Sequence, residues 1–188
     1  MEVIPVLYLS SKFKKQGTST IHIKEVMKKE RFTTLYVVDE RGIRKNEPQY
    51  EFYQRFSALY DLWVDTGPRD IGDVVDDIFS GAKTIIIREG LWRGDSLASI
   101  RELTGHDIFL ALHVNKMETM LERQPLFDDA DGFILFVTEP TRMSFFDESE
   151  INRLIEKKPV YVFDSVNNER QWRQKEVKGL LQDITTYL

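Results

Sequence analysis

Seven short apolar runs punctuate the chain: VIPVLYL from Val3, TLYVV from Thr34, LWV from Leu62, TIII from Thr84, IFLAL from Ile108, FILFV from Phe133 and VYVF from Val160. They read as continuous apolar runs, the pattern of strands covered on both faces, as in a parallel sheet flanked by helices. Stretches with helical spacing lie between them. The clearest sets Ile71, Val74, Val75, Ile78 and Phe79 on one face and Asp73, Asp76 and Asp77 on the other, with Asp70 placed to cap its start and Gly81 its end. A second opens at Asp147-Glu148-Ser149-Glu150, with Asp147 as its cap, and stops before Pro159. From Glu169 onward, Val177, Leu180, Leu181, Ile184 and Leu188 fall along a third helical face.

Strands alternating with helices at this pace imply right-handed βαβ units in one α/β domain over residues 1–188, either an open doubly wound sheet or a barrel. Seven strands leave a barrel incomplete, with an edge exposed between the first and the seventh. The C-terminal helix, or a second copy of the chain in a homodimer, is expected to cover that gap. The polar segment from Ser10 to Lys24 reads as a surface loop or a lid.

An internal echo favours the barrel. The first strand ends V-L-Y-L-S and the fifth A-L-H-V-N, which sets Tyr8 opposite His113. V-V-D-E after the second answers F-V-T-E after the sixth, and V-D-T after the third answers F-D-S after the seventh, pairing Asp65 with Asp164. Two similar halves are the expectation.

These segments carry a family resemblance. VIPVLYL is similar to the first strand of ProFAR isomerase of histidine biosynthesis (HisA), which reads V-I-P-A-I-D-L, and LYVVDERG from Leu35 resembles its second, V-D-L-D-G. LWVDTGPRDIGDVVDDIFSGAKTIIIREG from Leu62 looks like its third and fourth units. The likeness is best from Leu35 to Gly90 and thins beyond Pro140. It implies a divergent, shortened (β/α) barrel, and an isomerase or other enzyme acting on a phosphorylated sugar or ribotide-like molecule. The alternative is a catalytically degenerate relative that binds a small anion or serves as a scaffold.

The departures concern the chemistry. Where the isomerases carry aspartates at the ends of strands one and five, this chain has Tyr8 and His113; the Gly-Thr after strand four is Arg88-Glu89, and the glycines after strand seven are Asp164-Ser165. Deprotonating an unshifted tyrosine at neutral pH costs about 4 kcal/mol, whereas a histidine exchanges protons there. ProFAR isomerase activity is therefore not expected.

Residues at strand C-terminal ends are the candidates, because barrels and open α/β sheets both place ligands there. The catalytic candidates are His113, Asp65, Tyr8 and Asp39; Thr66, Gly67, Arg69, Arg88, Asp164 and Ser165 are candidates for gripping a phosphate, with Thr138 also at a strand end. Competing roles are open: Asp65 as a helix cap or partner of Arg69 or Arg88, Arg88 as an ion-pair partner of Glu89 or Asp65, His113 as a structural hydrogen-bonding group.

Composition narrows the classes. Of the 188 residues 41% are hydrophobic and 30% charged, an ordinary globular balance, and the net charge of −5 argues against nucleic acid or anionic membrane as partner. With no Cys, the sequence supplies neither disulfides nor thiolate metal ligands. No metal or other cofactor is expected. The start, MEVIPVLYLSSKFKK, has the charge order opposite to a secretory leader, so a cytoplasmic location is expected. Arg41, Arg44 and Lys45 read as a solvated turn, and Trp63, Trp92 and Trp172 as packing residues.

Overall fold

The computed structural model describes residues 1–10, 19–114, 124–137, 145–165 and 168–187. Thr138, Leu188 and most of the polar segment after Ser10 lie outside the described residues. Eight parallel strands close into a barrel in sequence order. They are β1 (Glu2–Leu9), β2 (Thr34–Asp39), β3 (Asp61–Asp65), β4 (Ala82–Arg88), β5 (Asp107–His113), β6 (Gly132–Val137), β7 (Val160–Asp164) and β8 (Gly179–Asp183). Helices α1 (Thr20–Lys29), α2 (Glu40–Lys45), α3 (Tyr50–Ser57), α4 (Ile71–Phe79), α5 (Ala98–Leu103), α6 (Gln124–Asp129), α7 (Phe145–Lys157) and α8 (Glu169–Gln174) connect them. The basic segment after Asp39 is thus helical, with Arg41 paired to Glu47 at 2.6 Å.

All seven expected strands form, and an eighth corrects the reading of the C-terminus. The helix from Glu169 ends at Gln174, Glu176 takes a left-handed turn (φ 59°), and GLLQD becomes β8, paired with both β1 and β7. Leu180 packs outward under the helices and Leu181 inward, a period of two that the sequence also offers at helical spacing. The sheet is closed by its own eighth strand, so neither a helix nor a second copy is needed to cover an edge.

Two cores follow from the alternation. Outward residues such as Leu7, Val37, Val64, Ile87, Leu112, Leu135 and Val162 meet the helices, while inward residues fill the barrel. At the bottom, Trp63, Phe109 and Tyr161 from alternate strands touch one another at ring distances of 5.0, 4.7 and 5.7 Å, and the Tyr161 hydroxyl donates to Glu2 on β1. These four side chains form one layer contributed by every second strand. Glycines on the intervening strands make the room: a Cβ on Gly132 would stand 2.8 Å from Phe109, and one on Gly179 would stand 2.8 Å from Tyr161.

The two-fold echo holds for one pair of strands only. Tyr8 and His113 both follow inward residues two positions earlier, Val6 and Ala111. In the other pairs the phase slips by one: Asp65 continues the inward row of Trp63, whereas Asp164 follows the inward Phe163 and turns outward. A slip of one residue puts a side chain on the opposite face.

α4 also departs from its expected face. Its cap is as expected, Asp70 Oδ1 accepting from the N–H groups of Gly72 (2.9 Å) and Asp73 (3.3 Å), and Gly81 follows with φ 101°. The helix is turned, however, so that Asp77 is fully buried and Phe79 is 82% exposed. Thr66 donates to Asp77 Oδ2 at 2.7 Å, which gives the buried carboxyl one partner at the end of β3. α7 begins at Phe145, so Asp147 lies inside it rather than at its cap.

Candidate functional site

The C-terminal mouth of the barrel interior is polar. Above the apolar filling, the last inward positions are Tyr8 on β1, Asp65 on β3, Arg88 on β4, His113 on β5 and Asp183 on β8, completed by Phe136 on β6 and Phe163 on β7. Asp65 is fully buried and is the centre of the network. Arg88 donates to it through Nε (2.8 and 3.1 Å) and Nη2 (2.7 Å), and the Tyr36 hydroxyl, one layer down on β2, donates at 2.7 Å. A carboxylate that accepts a guanidinium fork and a phenol is a fixed charge, held where it stands.

The electrostatics follow from that arrangement. Burial works against the Arg88 charge, but the adjoining Asp65 carboxylate outweighs it and raises the guanidinium pKa. Burial first, then the carboxylates of Asp183, Asp65 and Glu40, push the Tyr8 phenol upward, with Arg88 pulling the other way. Tyr36 is likewise pushed up by burial and by Asp65. Both tyrosines are therefore hydrogen-bond donors at neutral pH, not bases. Arg88 Nη1 has no hydrogen-bond partner among the described residues, and the side chain remains 18% exposed at the mouth.

An aromatic wall lines one side. Tyr8 meets Phe163 edge to face at 6.1 Å, Phe163 meets Phe136 at 5.8 Å, and His113 stacks on Phe136 at 5.4 Å. The Arg88 guanidinium lies 5.2 Å from the Phe136 ring centre, a cation–π contact.

Four of the ten residues put forward from sequence converge here: Tyr8, Asp65, Arg88 and His113. The other six are engaged elsewhere. Asp39 points outward, where it caps α2 through the N–H groups of Arg41 (2.9 Å) and Gly42 (3.1 Å) and accepts from Gln49 N (2.7 Å) and the Tyr53 hydroxyl. Thr66 is bound to Asp77. The Arg69 guanidinium is spent on the carbonyls of Gly42, Ile43 and Gly67 and on Asn46, holding the C-terminal end of α2. Gly67 has φ 70°, and a Cβ there would lie 2.7 Å from Leu91 and 3.1 Å from Ile43, so protein packs against the face that a ligand's phosphate would need. Asp164 accepts from Trp172 Nε1 at 2.7 Å and from Asn168 N at 3.3 Å. Ser165 donates to the Val137 carbonyl from its N–H (3.0 Å) and its hydroxyl (3.2 Å).

Tyr36 and Asp183 are site residues that sequence reasoning missed. Tyr36 sits inside an apolar run with nothing local to mark it, and Asp183 belongs to the strand that reads as helix. Trp63, Trp92 and Trp172 are buried as packing residues. Among the described residues, no group of three or more His, Asp or Glu is placed to hold a metal ion, and no helix is long and apolar enough to cross a membrane.

No family model matches the chain, and no curated protein matches its sequence. Among solved structures, the crystal structure of methylornithine synthase (PylB) superposes with a TM-score of 0.64 at 12% identity, over 96% of this chain and 71% of that one. At that identity the likeness is one of fold: a closed parallel (β/α) barrel.

Proposed function

We propose that the protein is a HisA-related barrel whose mouth binds a small anionic, hydroxyl-bearing molecule such as a phosphorylated sugar, and that it has lost the isomerase reaction. The observation that carries this is Arg88. Asp65 holds its guanidinium by one edge, and Nη1, without a hydrogen-bond partner among the described residues on a side chain 18% exposed, is left as a donor for a phosphate or carboxylate. The Tyr8 hydroxyl, kept protonated, supplies a second donor. What argues against the isomerisation is the fate of the expected proton carriers: Asp39 faces outward, Asp65 is locked by Arg88 and Tyr36, and Tyr8 is no base, which leaves Asp183 and His113 at the described mouth. Histidine is the side chain whose unperturbed pKa suits proton exchange at neutral pH, and His113 stands among the described residues of the mouth.

A second reading keeps an enzyme of different chemistry, with His113 as a single acid–base group and Tyr8 as donor to a developing oxyanion. The placement of Tyr8 and His113 on the inward rows of β1 and β5 favours it.

Ribose 5-phosphate, titrated calorimetrically, is expected to bind at millimolar concentration or below, and Tyr8→Phe to weaken it by about 0.5–1.5 kcal/mol, the net worth of one hydrogen bond. Cells lacking ProFAR isomerase are expected to stay histidine-requiring when they make this protein. Absence of binding to both ribose 5-phosphate and inorganic phosphate overturns the binding reading, and histidine-independent growth overturns the loss of isomerase activity.

A further inference from the structure

The anion donor lies on β4, whereas the carboxylate at the opposite side of the mouth, Asp183, has no ion-pair partner among the described residues. Asp183 ends β8 on the inward row of Gly179 and Leu181. Its Oδ1 accepts from Thr185 N (2.8 Å) and Thr185 Oγ1 (2.7 Å), while Oδ2 has no hydrogen-bond partner among the described residues. Register sets its neighbours. Asp183 pairs with Val6, one inward step below Tyr8, and Leu181, one inward step below Asp183, pairs with Phe163. Tyr8 and Phe163 reach each other across β8 at 6.1 Å. Register thus sets Asp183 at the end of the strand that lies between those carrying the two rings, and its charge is felt at the Tyr8 hydroxyl. A carboxylate next to aromatic rings is the chemistry that receives an ammonium group, through charge on one side and ring quadrupoles on the other.

The geometry points to a bipolar ligand: an anionic group on Arg88 and a cationic amine on Asp183, against the rings of Tyr8 and Phe163. This rests on the proposed anion site and narrows its ligand to a small amine-bearing anion. Arg88 and Asp65 neutralise each other, so Asp183 and nearby Glu40 leave the described mouth with an excess of negative charge. A ligand that brings only negative charge meets that excess. One that also brings an amine answers it.

The test compares two probes that differ in the amine alone, phosphoethanolamine and ethyl phosphate, by calorimetric titration of the full chain. The wild-type protein is expected to bind phosphoethanolamine about tenfold more tightly, the effect of one charged hydrogen bond aided by ring contact. Asp183→Asn keeps the acceptor oxygen that Thr185 uses, so the melting temperature should hold while the preference between probes falls to about twofold or less. Phe163→Leu, which alters no charge, should reduce the preference in part. If the wild-type protein binds both probes equally, the amine site is refuted and the anion site stands. If ethyl phosphate and phosphoethanolamine both fail to bind, the anion site falls and the amine site with it. A preference for phosphoethanolamine that survives Asp183→Asn intact removes Asp183 from the recognition.

Discussion

Asp77 is a carboxyl group shut away from water with one oxygen, Oδ1, lacking a hydrogen-bond partner among the described residues. Burial raises its pKa well above the ordinary value; the Thr66 hydrogen bond pulls it down, and the carboxylates of Asp73, Asp65 and Asp76 push it up further. The sign of the linkage follows. The folded state keeps the Asp77 proton where the unfolded chain, with an aspartate pKa of about 3.9, has already lost it. The contribution to stability is therefore fully present below about pH 4 and declines as pH rises through the folded-state value. Asp77→Asn has no such titration. The stability of this variant relative to wild type, read from urea midpoints, is expected to increase from pH 4 to pH 8, and parallel pH profiles would exonerate Asp77. In the sequence Asp77 looked like one of three solvent-facing carboxylates, because a helical wheel shows spacing but not which way the helix is turned against its sheet. The ion pair of Asp65 with Arg88 was legible as one of several competing roles for each residue. Its third member, Tyr36, lay 29 positions from Asp65 in an unmarked strand.

Strands were easier to read than their phase. Each apolar run marked its strand, since a parallel strand between two cores is apolar on both faces. The same property hid β8. GLLQD is short, and its leucines at 180 and 181 fit a helical face as well as a strand with one side chain on each side. It also hid the slip that turns Asp164 outward while Asp65 faces in, because sequence similarity between apolar strands carries little information on facing. What no run of letters announces is the size match inside the barrel, where Gly132 and Gly179 admit the rings of Phe109 and Tyr161. Both glycines have ordinary backbone angles, so their role is space rather than conformational freedom. Gly179→Ala and Gly132→Ala are each expected to destabilise the protein by about 1–3 kcal/mol, as overpacking does. Gly90→Ala, where a Cβ meets nothing within 4 Å, is the control. Equal denaturation midpoints for all three would mean that the aromatic layer yields without strain.

Closure is the property of the whole molecule on which both cores and the mouth depend. β1 is held by β2 on one side and β8 on the other, with five registered pairs from Glu2–Gly179 to Val6–Asp183. Hydrogen bonds of this kind are made late in the chain and to its very start, so local sequence cannot reveal them. They also remove the two edges that an open seven-stranded sheet would offer to other chains. A homodimer is therefore not required for a covered sheet, and the stability of the fold should reside in β8 itself. Deleting residues 179–188 would uncover β1 and β7 together, expose Leu181's place in the barrel interior, and take away Asp183 from the mouth. The expected product is insoluble, or soluble only as large assemblies in size-exclusion chromatography. By contrast, Leu180→Asp, which leaves the strand's backbone intact but puts a charge under the helices, should lower the melting temperature without creating edges to associate. A deletion product that runs as a monomer with the melting temperature of the full chain would show that the barrel does not depend on its last strand.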